Sequence, residues 1–173
     1  MIIYATQKAV KRLNLPVLSA LNDPFAKGLA QNMVQTEALN PLLVWGAKLM
    51  YISGKKSLVF VHKATKLTVV LPFVKANDDY EIANDFAFAL EDLFRYQPDV
   101  QVLIGKMFEQ YNMVVWAELN DAELQQSLDY AQDYITKRKP DLVWEPLNNA
   151  ESDDQPTSPR EQFAQLLVAQ LGK

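Results

Sequence analysis

Apolar residues crowd three runs in the middle of the chain, at 42–52, 57–62 and 67–71, rich in Val, Ile, Leu, Trp, Tyr and Phe. Ser53-Gly54-Lys55-Lys56 and Lys63-Ala64-Thr65-Lys66 part them, and each polar segment is short enough for a hairpin. The pattern predicts an antiparallel three-stranded meander. In the middle run Leu58 and Phe60 point to one face while Val59 and Val61 point to the other, so this strand is expected to be covered on both sides. Elsewhere the period becomes helical. Ile82, Phe86, Leu90 and Leu93 predict a helix over 78–97, with Asp78, Asp79 and Glu81 in its first turn, where the helix dipole favours acids. Leu124, Leu128, Ala131 and Ile135 predict another, opened by Asn120 and Glu123 at capping-box spacing. Shorter helices are expected over 6–13, 24–34 (from Phe25, Leu29 and Met33 at every fourth position) and 99–110, and short strands over 2–5 and 112–118.

The expected fold class is therefore α+β: an antiparallel sheet around a central meander, packed by several helices. Residues 1–144 read as one domain. Residues 145–159 are acidic, carry prolines and hold few apolar side chains, which predicts a linker. Beyond it, Phe163, Leu166, Leu167 and Leu171 mark an amphipathic C-terminal helix over 160–173, too short to be stable without something to dock against.

Charge changes this picture by dividing it. Residues 1–75 hold ten Lys/Arg against Asp23 and Glu37, a net of +8, whereas 76–173 hold seven against nineteen acids, −12, and together these give the overall −4. Such a division predicts either that one half complements the other or that a basic surface awaits an anionic partner. The 173 residues contain no cysteine, which excludes disulfides, thiolate metal sites and cysteine catalysis. No basic, apolar leader opens the sequence and no apolar window reaches the length of a membrane span, so a cytoplasmic protein without membrane contact is expected.

Some of these residues carry a resemblance. Met1-Ile2-Ile3 followed by Thr6-Gln7-Lys8, then Trp45, Ala47, Leu49 and Ile52, the pair Lys55-Lys56, Leu58, Phe60 and Thr65, and later Asn120-Asp121, resemble a family of uncharacterised bacterial domains of unknown function. The resemblance spans roughly residues 1–122 and departs at His62, where a small amide is expected. It implies a compact α+β fold in a bacterial cytoplasm and brings no activity with it.

Chemistry-bearing candidates are few. His62 is the only histidine, so any histidine-dependent catalysis must use it, at a strand end beside a turn. The acids lack the spacing of a calcium loop, and five scattered glycines build no phosphate loop. No metal site and no cofactor are therefore expected. Lys55, Lys56, Lys63 and Lys66 in the two turns, with Lys8 on a helical face and Trp45 and Tyr51 nearby, predict a basic patch with aromatic neighbours for a ligand. Equally, turn lysines protect sheet edges and keep a protein in solution. Phe88 and Tyr130 fall among charged residues on their helices, and with Phe163 and Leu167 they form candidate contacts for a partner or a second copy.

The leading expectation is a non-catalytic binding or interaction module, its basic hairpin face regulated by the acidic tail. The alternative is an RNA- or phosphate-ester-processing enzyme using His62 with nearby lysines. Nucleic acid is the less favoured partner, because the chain as a whole is acidic.

Overall fold

The computed structural model describes residues 1–137, 145–150 and 157–172. Five strands form one sheet: β1 (Ile2–Ala5), β2 (Val44–Ile52), β3 (Lys55–His62), β4 (Thr68–Pro72) and β5 (Val115–Glu118). Their spatial order is β4-β3-β2-β1-β5. The meander is present, since β2 with β3 and β3 with β4 are antiparallel. Ser53 and Gly54, both at positive φ, make the two-residue turn that closes the first hairpin.

The expectation of an antiparallel sheet is corrected at its other half. β1 lies parallel to both β2 and β5, so the sheet is mixed. The reason lies in the connections: a parallel neighbour needs a crossover, and helical segments stand between β1 and β2 and between β4 and β5. Both β1 and β5 are only four residues long. Neither is long enough for alternation to reveal its direction.

Helices cover both faces. On the first lie α1 (Gln7–Leu13), α3 (Asp79–Leu93), α4 (Pro98–Gln110) and α7 (Pro159–Leu171), which pack against Ile3, Trp45, Leu49, Leu58, Phe60 and Trp116. On the second lie α5 (Ala122–Lys137) and α6 (Glu145–Asn149), packed against Met50, Val59, Val61 and Val70. The prediction that β3 is covered twice holds, with Leu58 and Phe60 in one cluster and Val59 and Val61 in the other. α5 crosses the sheet closely because Gly46 lies beneath it; a Cβ there would stand 2.8 Å from Leu124 Cγ.

Two further expectations change. α2 (Pro24–Glu37) forms as its period predicts, capped by Asp23, which accepts from the Ala26 amide at 2.7 Å. Its stripe points outward, however: Phe25 and Leu29 are exposed and Ala30 alone is buried. The second concerns the stretch read as a linker from 145. It begins with α6, where Leu147 is buried and Asn148 fastens the helix to the sheet edge. Asn148 Oδ1 accepts from the Thr68 amide at 2.7 Å, and its Nδ2 donates to the Thr68 carbonyl at 2.7 Å. The side-chain amide thus satisfies the outward backbone groups of an edge strand, as another strand would. The acidic residues 151–156, on which the idea of a regulatory tail rests, lie outside the described residues, as do Arg138 and Lys139. Among the described residues no helix is long and apolar enough to cross a membrane.

Candidate functional site

The two hairpin turns sit at opposite ends of β3. Lys56 and Lys63 are seven residues apart along it, roughly 24 Å at strand rise. The single patch expected from the sequence is therefore corrected to two separate groups. Their electrostatics differ.

At the far end, Lys63 pairs with Asp121 at 2.6 Å and Lys66 with Glu123 at 2.7 Å. Lys48, on the same face of the sheet, pairs with Asp129. All three carboxylates are carried by α5 or its N-terminal approach. The hydrogen bond from Lys63 holds Asp121 below the ordinary carboxylate range, and those from Lys66 and Lys48 do the same for Glu123 and Asp129. Lys63 is correspondingly raised by Asp121. Here the acidic half of the chain answers the basic half, through a folded helix.

At the near end the lysines meet rings instead of carboxylates. Lys8 Nζ stands 5.8 Å from the centre of the Tyr51 ring, and Lys55 Nζ 4.2 Å from that of Phe73. Lys56 pairs across the ladder with Tyr51, on the same side of the sheet. Among the described residues none of Lys8, Lys55 and Lys56 forms an ion pair. Tyr51 is 53% and Phe73 60% exposed. Phe73 escaped the sequence reading because it follows Pro72; its positive φ turns it out of the strand direction.

Beside this end lies a cleft of about 330 Å³. It exists because β1 stops at Ala5 while β2 runs on to Ile52, so β2 has no strand on that side beyond Ala47. The Ala47 carbonyl accepts from the Thr6 amide at 2.9 Å. By strand periodicity the backbone groups of Leu49 and Tyr51 face the same opening. Thr6, Lys8, Lys48, Tyr51, Gln132 and Thr136 contribute to its walls. Thr6 precedes α1 in the N-cap position, yet its hydroxyl caps nothing, and Oγ1 is buried without a hydrogen-bond partner. The opening lies beyond the carboxyl end of β1, along the side of β2 that faces away from β3.

The other sequence candidates are placed as follows. His62 is fully buried, its ring 4.7 Å from that of Trp45 and 4.9 Å from that of Phe163. Nδ1 meets Thr65 Oγ1 at 2.9 Å, while Nε2 is buried without a partner. Burial pushes its pKa down to about 4 and the Lys66 charge acts in the same direction; the Pro41 and Leu42 backbone opposes them, without reaching hydrogen-bond geometry at Nε2. The proposed acid–base role for His62 is thereby corrected: a neutral imidazole sealed in the core has no access to an external substrate. Trp45 is likewise buried and belongs to no patch. Phe163 and Leu167 are core residues, since α7 docks in cis on α4 and α6, so they present nothing to a partner. Phe88 and Tyr130 are exposed, and α7 does not cover them. Among the described residues no group of three or more His, Asp or Glu side chains could hold a metal ion.

Fold and site together define an α+β domain on a mixed five-stranded sheet, with a cleft and a set of unpaired cations at one end. The chain belongs to the family described as Domain of unknown function (DUF6933), whose model matches residues 2–150. No curated protein matches the chain. The matched residues end before α7, although Phe163 of that helix completes the core around His62.

Proposed function

We propose that this domain is a binding module that recognises an anionic partner at the hairpin end of its sheet, through Lys8, Lys55 and Lys56 with the rings of Tyr51 and Phe73. One observation carries the reading. The lysines facing α5 are neutralised internally, whereas those at the hairpin end are left unpaired, with Lys8 and Lys55 held over exposed aromatic rings. Cations arranged this way bind phosphate or carboxylate groups and stack against flat ones. Burial of the only histidine, together with the cation–aromatic surface, favours binding over histidine-dependent catalysis. The setting that goes with this reading is the cytoplasm.

Titrating ¹⁵N-labelled protein with a heparin oligosaccharide, as a generic polyanion, tests the location. Amide shifts are expected at Lys8, Tyr51, Lys55, Lys56 and Phe73, fading as salt is raised. Shifts centred on Lys63 and Lys66 would count against it.

A further inference from the structure

We infer that the cleft at the end of β1 is a site for a phosphate monoester of nucleotide size or smaller, an inference that rests on the anion-binding reading and names the ligand chemistry. Its volume of about 330 Å³ lies at the small end of ligand sites. Residues that carry donors line it: Lys8 and Lys48 with their ammonium groups, Thr6 with its hydroxyl and Gln132 with its side-chain amide, whereas the Thr136 hydroxyl already donates to the Gln132 carbonyl at 2.8 Å. The unpaired edge of β2 adds the Leu49 and Tyr51 amides, because β1 ends where the cleft begins. Asp129 already neutralises Lys48, so Lys8 supplies the net positive charge.

Thr6 points most directly to a ligand. A buried hydroxyl with no partner costs free energy, and here a capping bond was geometrically close at hand but is not made. Thr6 lines the cleft, so a rotation of its side chain on binding would bring this hydroxyl to a phosphate oxygen, which would accept from it as from Lys8. A monoester suits the surroundings better than a diester: its terminal group carries the extra negative charge that Lys8 can meet, and the remainder of the molecule leaves past the exposed Tyr51 ring, on which a base or sugar can rest. No bond is made or broken in this proposal; the site binds.

The test is calorimetric titration of the full chain with ribose 5-phosphate, AMP and adenosine, repeated with Thr6→Val and Lys8→Met. Thr6→Val removes an unsatisfied hydroxyl at constant shape and Lys8 is exposed, so both variants should keep the wild-type fold, which their amide spectra will report. The expected result is that the phosphates bind, adenosine binds at least about tenfold more weakly, and each variant loses about tenfold. Binding of AMP alone among the phosphates also supports the site and assigns the base to Tyr51. The inference is overturned if adenosine equals AMP, if neither phosphate binds, or if the variants bind like wild type. Heparin binding at Lys55 and Lys56 that survives such a failure would leave the anion-binding reading standing.

Discussion

His62 illustrates at the residue scale what one buried group does to the whole equilibrium. Its pKa falls from 6.5 to about 4 on folding, chiefly through desolvation. Between those values the unfolded chain takes up a proton that the folded chain refuses. Stability is therefore complete above pH 6.5 and is lost as pH drops toward 4, by on the order of 3 kcal/mol. The surface carboxylates act in the same direction but lower down, because Asp121, Glu123 and Asp129 lose their contribution only below their ordinary values of 3.8 and 4.5. Urea titrations at pH 4.5 and 7 should show the loss, and His62→Ala should remove most of the pH dependence while costing a cavity of its own. An unchanged slope in that variant would assign it elsewhere. Alternation alone put His62 on the face of Leu58 and Phe60. What closes over it, Phe163, arrives some hundred residues later and leaves no local signal.

At the scale of elements, the most consequential pieces are those that the sequence pattern marks as dispensable. α6 and α7 follow the last long helix, in a region that reads as linker and appendage. Yet Asn148 completes the β4 edge, and Phe163 packs against Trp45, His62 and Phe94. Phe163→Ala should cost about 3–5 kcal/mol, as other large core truncations do. Asn148→Ala should cost roughly 2–3 kcal/mol, by leaving the Thr68 N–H and C=O buried without partners. Denaturant midpoints measure both; changes under 1 kcal/mol would mean that these elements only lean on the domain. The helical periods of α3 and α5 and the meander were legible because long runs with tight turns constrain their own geometry. β1 and β5 were legible as strands but not in their direction, since the direction of a four-residue strand is decided by distant crossovers. Phe25 and Leu29 carry a helical period that correctly foretells α2, but a period names a stripe without saying what will cover it.

For the molecule as a whole, the opposed charges of the two halves were visible in the sequence, and half of their meaning was too. Acids from the later half do meet lysines from the earlier one, at Lys48, Lys63 and Lys66. Which lysines they meet depends on where α5 crosses the sheet, and Gly46 is what lets it cross there closely. That path leaves the hairpin end uncompensated. Exposed ion pairs of this kind add little stability; their larger effect is to neutralise the lysines that face α5 while, among the described residues, Lys8, Lys55 and Lys56 stay unpaired.

The most direct test compares two neutralisations of equal charge, Lys55→Gln/Lys56→Gln and Lys63→Gln/Lys66→Gln, in fluorescence anisotropy with a labelled heparin oligosaccharide over a range of salt. The first pair should lose about tenfold in affinity, with a salt slope shallower by on the order of two, while the second stays within about twofold of wild type. Equal losses from both pairs, or a greater loss from the second, would contradict an anion-binding end.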